Sequence, residues 1–218
     1  SKRGDVIPAV ERIVDKNEDN NLVWKMPELC PSCNAGLTIK GAHHFCTNPD
    51  CADQIKGKIF YFLGKNQMDV DGFGPETADF LINQGFIKRI PDLYSFDYNS
   101  LEGFPGFGTK KIKLISDGIK KSLNQPYSRV LPSLGIPELG KKAVELLIGS
   151  GLRTVDDLIS IAAVGDTGKL LSIKGIGERT AEIIANEFSS DIILNLIKDL
   201  KSAGLKFRED DVLTDELF

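Results

Sequence analysis

No apolar run in these 218 residues approaches the ~20 needed to cross a bilayer as a helix, so the sequence predicts no membrane span. No hydrophobic leader with a cleavage-type stretch opens it either, so nothing directs it to an oxidising compartment, and a cytoplasmic location is expected. It begins at Ser1 rather than Met and reads as a fragment or a processed piece. Histidine occurs twice, tryptophan once and cysteine four times. A formal net charge of −4 excludes a surface that is basic throughout. What remains is ordinary globular material, 41% hydrophobic and 27% charged, with room for one large or two to three small domains.

The charge is not evenly spread. From Arg208 to Phe218, Glu209, Asp210, Asp211, Asp215 and Glu216 stand against one arginine, which accounts for the whole −4. Between Gly103 and Ser150, eight bases (Lys110, Lys111, Lys113, Lys120, Lys121, Arg129, Lys141, Lys142) face three acids (Asp117, Glu138, Glu145), a local net of +5.

All four cysteines fall within 22 residues, as Cys30-x2-Cys33-x12-Cys46-x4-Cys51. Two short pairs on separate knuckles can supply the four soft ligands of a tetrahedral Zn²⁺. Turn-forming residues occupy both knuckles: Pro31 and Ser32 in the first, Thr47, Asn48, Pro49 and Asp50 in the second. Two disulfides are the rival reading, which the absent leader disfavours. A second rival puts His43 or His44 in place of Cys46, whose spacing to Cys51 is the more symmetrical. Four thiolates leave no open coordination position, so the expected Zn²⁺ is structural, and its binding is folding energy.

Beyond the cysteines the chain repeats itself. Val70-Asp71-Gly72-Phe73-Gly74 is echoed by Phe104-Pro105-Gly106-Phe107-Gly108, by the degenerate Ile136-Pro137-Glu138-Leu139-Gly140, and by Ile173-Lys174-Gly175-Ile176-Gly177. The closing glycines recur at intervals of 34, 32 and 37 residues, a period typical of a repeated supersecondary unit. Helical apolar periodicity follows each copy, as in Ile112 and Ile115 or Ala181, Ile184 and Ala185. A short amphipathic piece precedes each, such as Ile159 to Leu171 before the last. The predicted unit is helix, Gly-hydrophobic-Gly hairpin, helix. Its central Phe73, Phe107, Leu139 or Ile176 turns inward between the two helices.

Glycine permits the turn and a close backbone approach. The first amides of the second helix, with the helix dipole, favour an anion. A nucleic-acid phosphate is the natural candidate, held without sequence reading. The candidate DNA contacts are Gly72, Gly74, Gly106, Gly108, Lys110, Lys111, Gly140, Lys141, Gly175, Gly177 and Arg179. Hairpins two and four carry bases beside the expected phosphate. Hairpin one lies between Asp71 and Glu76. Hairpin three has Glu138 where a glycine is expected, partly offset by Lys141 and Lys142, and is read as mainly structural. A single Gly-x-Gly is most simply a packing turn; four in phase argue for binding.

Together these features resemble the C-terminal half of the NAD⁺-dependent bacterial DNA ligases. Cys30-Pro31-Ser32-Cys33 and Cys46-Thr47-Asn48-Pro49-Asp50-Cys51 are similar to that family's zinc module, with Asn34 where the family has glycine. Met68-Asp69-Val70-Asp71-Gly72-Phe73-Gly74, Asp92-Leu93-Tyr94, Leu134-Gly135-Ile136 and Gly175-Ile176-Gly177 resemble later markers. Arg3-Gly4-Asp5-Val6-Ile7-Pro8 resembles the strand closing its oligonucleotide-binding fold, with Arg3 in place of alanine, and Leu22 to Pro27 resembles the linker into the zinc module. The match runs from about Arg3 to Leu205.

The resemblance implies a parent enzyme that seals nicks in duplex DNA during replication and repair, using NAD⁺ and Mg²⁺ bound outside this chain. Its lysine nucleophile, in a Lys-x-Asp-Gly motif, has no counterpart here: Ile115 precedes Ser116-Asp117-Gly118, and Asp69 precedes Val70-Asp71-Gly72. No catalytic residue is therefore expected in this chain, and the piece alone is expected to be inactive. It would be a monomeric, nucleoid-associated clamp on the backbone of nicked duplex. Two alternatives are a helix-hairpin-helix and zinc module of another repair or recombination protein, and a helical adaptor whose hairpins serve packing only. A Lys-x-Asp-Gly motif upstream in the gene separates the first alternative from a ligase.

The expected fold is mainly α: a small tetracysteine zinc-finger module followed by a domain of four helix-hairpin-helix repeats. The expected limits are 1–28 for the end of an oligonucleotide-binding fold with its linker, 29–58 for the zinc finger, 59–207 for the helix-hairpin-helix domain and 208–218 for an acidic linker. Short strands are expected only in the knuckles and within Arg3 to Val14, and a helix over Ile55 to Leu63. Core candidates are Phe60, Phe62, Phe80, Phe86, Leu93, Phe96, Leu131, Leu134, Leu146, Leu158 and Ile183, with Met68 as filler and Trp24 anchoring the linker.

Overall fold

The structure, a computed structural model, describes residues 25–209 together with the backbone pairing of β1 (Lys2–Arg3) and β2 (Ile7–Pro8). Trp24 and the acidic residues from Asp210 onward lie outside the described residues. The chain divides into two units, Ser1–Asn48 and Pro49–Phe218.

In the first unit β1 and β2 pair antiparallel, Lys2 opposite Pro8 and Arg3 opposite Ile7. The first knuckle is closed by main-chain bonds: the Asn34 amide donates to the Cys30 carbonyl, and the Cys30 amide to Ala35, both at 2.8 Å. Asn34 takes the left-handed conformation, φ 57°, which asparagine tolerates better than most residues and glycine adopts freely. Asparagine thus meets the backbone demand of this position at a small cost. A two-stranded ribbon follows, β3 (Leu37–Lys40) with β4 (His43–Cys46), turning at Gly41.

The second unit is helical. It contains α1 (Ala52–Leu63), α2 (Pro75–Asn83), α3 (Asp92–Ser95), a 3₁₀ turn at Tyr98–Leu101, α4 (Thr109–Ser122) and α5 (Tyr127–Ser133). After these come α6 (Lys141–Gly149), α7 (Val155–Val164), α8 (Gly168–Leu171), α9 (Glu178–Phe188) and α10 (Asp191–Ser202). The expected helix over Ile55 to Leu63 is present and starts three residues earlier. The stretch Ile159 to Leu171, expected as one amphipathic piece, is broken. Gly165 ends α7 in the left-handed conformation, φ 65°, and the Asp166 carboxylate accepts from the Gly168 amide at 2.8 Å where the short α8 begins.

Leading and trailing helices of each repeat pack together: α1 on α2, the 3₁₀ turn on α4, α5 on α6, and α7 and α8 on α9. The apolar stripes explain this. In α4, Ile112, Ile115 and Ile119 are buried, while Lys110, Lys113 and Lys120 point to solvent. In α10, Ile193, Ile197 and Leu200 do the same at helical spacing. Of the core candidates, Phe62, Leu93, Leu131, Leu134 and Leu158 are buried, and the rest are partly buried against the core. Met68 is fully buried.

The four repeats associate as two pairs. In the first, the tip glycine of hairpin one, Gly72, sits against Leu114 and Ile115 of α4, and Gly118 of α4 lies beneath the Asp71 backbone. Reciprocally, Phe80 of α2 meets Phe107 and Phe104 of hairpin two, with ring centroids 4.7 and 5.4 Å apart. In the second pair, Gly175 of hairpin four sits against Leu146 of α6. Phe80, Leu114, Leu146 and Ile183 all stand eight residues after the tip position of their own hairpins, so the pairing surface is the same helix position reused.

Candidate nucleic-acid interface and metal centre

Each hairpin has one backbone solution. The tip residue has positive φ: 81° at Gly72, 82° at Gly106, 62° at Glu138 and 101° at Gly175. Two residues on, Gly74, Gly108, Gly140 and Gly177 are the extended N-caps of α2, α4, α6 and α9. Between them Phe107, Leu139 and Ile176 are buried, and Phe73 is half-buried against Tyr98. Glu138 thus adopts the conformation that glycine takes in the other three, at the cost usual for a residue with a Cβ.

The closing glycines are exposed, and a Cβ built at any of the four meets nothing within 4 Å. None of these four helices has a side-chain cap. Among the described residues no acceptor takes the amides of Thr109, Lys110 and Lys111, of Lys141, Lys142 and Ala143, or of Glu178, Arg179 and Thr180. The first main-chain bonds of these helices are Ile112, Val144 and Ala181 donating to Gly108, Gly140 and Gly177. Hairpin one is poorer: Pro75 has no N–H, and the Thr77 amide is spent on the Gly74 carbonyl.

Two helices outside the hairpins are finished differently. Thr154 caps α7 in a reciprocal box with Asp157, at 3.1 and 2.8 Å, and Ser190 caps α10 through the Ile193 amide. The hairpin helices α4, α6 and α9 thus differ from α7 and α10, although α1 has no side-chain cap either, and an uncapped start is where an external anion would be received.

The charges around the hairpins are partly committed. Lys111 lies over the Phe107 ring, 4.4 Å from its centroid. Lys113 pairs with Asp117 at 2.6 Å, and that hydrogen bond holds the Asp117 carboxyl below its ordinary range. Lys141 pairs loosely with Glu145 at 3.8 Å. Asp71 of hairpin one meets Lys121 at 3.4 Å, and Glu138 of hairpin three meets Arg179 of hairpin four at 3.0 Å. The offset to Glu138 thus comes from Arg179 rather than from the neighbouring Lys141. Sequence reasoning missed Lys121, which lies 50 residues from its partner and left no local signal. It also missed the Thr154 cap, which Thr-x-x-Asp before an apolar run does signal.

The four cysteines are brought together, with sulfur atoms all within 4.8 Å of one another and Cys33 to Cys46 at 3.6 Å. They form no disulfide. Tetrahedral Zn–S bonds of about 2.3 Å imply sulfur separations of about 3.8 Å, so the donor set and its spacing fit that ion. Neither histidine belongs to the cluster. Cys30 and Cys51 are buried, and Cys51 is the N-cap of α1, at the positive end of that helix.

Comparison with known proteins agrees with this geometry. The family described as SAM-like helix-hairpin-helix tandem matches residues 68–121 and 131–202, which are the two structural pairs. A protein named DNA ligase from Leptospira interrogans is 41% identical over 97% of this chain, and one from Borrelia duttonii is 40% identical over 97%. A third from Leptospira biflexa is 35% identical over the full chain. The chain spans about a third of the length of these relatives (31%, 32% and 33%).

Proposed function

Because the chain belongs to the SAM-like helix-hairpin-helix tandem family, we propose that it is the DNA-gripping part of an NAD⁺-dependent DNA ligase, holding the backbone of nicked duplex. The observation that carries this is the contrast in helix starts. α4, α6 and α9 begin at open glycines with three unclaimed amides each, whereas α7 and α10 are capped from within. The relatives named DNA ligase support this reading of the whole protein.

In this reading the amides after Gly108 and Gly177 receive phosphate oxygens, and so do those after Gly140, in a departure from the expectation that hairpin three is mainly structural, with Lys110, Lys111, Lys174 and Arg179 adding charge. Gly72, Gly74, Gly106, Gly175 and Lys141 complete the surface. Hairpin one contributes least, since Pro75 and Asp71 remove a donor and oppose an anion. Contacts of this kind position a protein without reading bases. Cys30, Cys33, Cys46 and Cys51 hold a structural Zn²⁺, which contributes cross-linking of the two knuckles and no reactive position. Transfer of AMP from NAD⁺ and the Mg²⁺ it needs belong to parts of the enzyme outside this chain. The proposed layout is 1–28 from an oligonucleotide-binding fold, 29–58 zinc finger, 59–207 clamp and 208–218 acidic linker. The whole acts as a cytoplasmic, nucleoid-associated monomer.

The test is fluorescence anisotropy of the 218-residue chain with nicked and intact duplexes of unrelated sequence across a salt series. Affinity should fall linearly on a double-logarithmic plot, with a slope of about −0.9 per phosphate neutralised. Binding that ignores salt, or that follows base sequence, would count against the proposal.

A further inference from the structure

Each repeat pair joins an acidic hairpin to a basic one, and the acid reaches across to a base of its partner: Asp71 to Lys121, Glu138 to Arg179. The second contact lies at a proposed phosphate site. Arg179 is the second residue of α9, beside the unclaimed amides of Glu178, Arg179 and Thr180. Its side chain is 81% exposed, so Glu138 is what restrains it rather than packing. The Glu138 side chain is 41% exposed. It stands at a hairpin tip, in the conformation where the other three hairpins use glycine.

Resting on the reading above, we infer that Glu138 is a built-in competitor for the DNA phosphate at hairpin four, setting the affinity of the second repeat pair through Arg179. Its carboxylate is an oxygen anion at hydrogen-bond distance from the guanidinium, which is the place a phosphodiester oxygen would take. A phosphate engaging Arg179 must displace it. Both groups are solvated, so the exchange is cheap and reversible, and it weakens the grip without blocking it. A clamp that must leave a sealed product benefits from such a loosened second contact.

The experiment is a double-mutant cycle in the full 218-residue chain, Glu138→Gln with Arg179→Ala, read as Kd for nicked duplex and as salt slope. Glu138→Gln should bind about two- to five-fold tighter at low salt, the range an exposed pair supports. Its slope should steepen by up to about one phosphate contact. In the Arg179→Ala background the same substitution should gain less than half as much. Glu138→Gly, which also relaxes the tip, should tighten binding equally, separating charge from local geometry. A gain of equal size without Arg179 would reduce Glu138 to general repulsion and overturn the inference. So would unchanged or weaker binding by both Glu138 variants. A wild-type chain that fails to bind overturns the parent reading; one that binds while Glu138→Gln gains nothing overturns this inference alone.

Discussion

Gly175 sits so close to Leu146 that a Cβ there would lie 2.9 Å from Leu146 Cδ1, whereas a Cβ on Gly177 would meet nothing. Two glycines of one hairpin therefore serve different ends. The tip glycine lets the fourth repeat dock on the third; the closing glycine leaves the helix start accessible.

Their alanine variants should separate accordingly. Gly175→Ala is strained by its positive φ and should cost about 1–2 kcal/mol in a denaturant melt, with the end of the flexible Leu146 side chain shifting to admit the methyl. Gly177→Ala stands at an ordinary φ and should cost about 1 kcal/mol or less, while weakening duplex binding several-fold because the methyl lies in the anion's path. Equal destabilisation by both, with no separate loss of affinity, would favour the hairpins as packing turns.

Gly118 provides a test of opposite sign to intrinsic propensity. Glycine to alanine inside a helix ordinarily gains about 1 kcal/mol. Here the added Cβ would lie 2.5 Å from the Asp71 carbonyl oxygen, main chain that cannot swing aside. Gly118→Ala should destabilise by about 1–3 kcal/mol and loosen hairpin one from α4. A stabilised variant would show that the first repeat pair is not docked this way.

Removing one sulfur ligand should act locally. Cys33→Ser should lose the bound metal and expose the β3–β4 ribbon to proteolysis, while far-ultraviolet circular dichroism of α2 to α10 stays largely intact. Chelation of the wild type should give the same pattern, read by metal analysis alongside the spectrum. Collapse of the whole helical signal would show that the repeats depend on the metal.

Stability should decline in alkali through three buried phenols. Burial raises Tyr94 to about 12 and pushes Tyr98 and Tyr127 higher still, with the acids Asp157, Asp156 and Glu209 adding to the rise at Tyr127. A folded-state value above the unfolded value near 10 contributes stability that is complete below that pH and lost as pH climbs through the folded value. Chemical melts should be flat in this respect up to about pH 9.5 and fall above 10, tracking tyrosinate absorbance. Tyr94→Phe should reduce that slope.

Much of the site was legible as pattern. The hairpins announce themselves because only glycine meets both demands of the turn cheaply, so Gly106/Gly108 and Gly175/Gly177 repeat in phase. The degenerate copy was legible from its phase with the others and its closing Gly140, and Glu138 keeps the hairpin conformation. The cysteines were legible because four thiols so closely spaced must meet if both knuckles turn. The break at Gly165 was not read, although glycine followed by Asp166 and Thr167 is a usable stop signal.

Sequence alone determined the repeat, the tetracysteine cluster and the places where backbone could be laid bare, since these follow from local conformational limits and spacing. Only the tertiary structure decided which hairpin pairs with which, and which charges are already taken. Asp71 and Lys121, or Glu138 and Arg179, are brought together by helices packing through residues such as Phe80, Leu114 and Leu146. Such contacts are chosen by how whole surfaces fit, and no window of neighbouring residues contains that information.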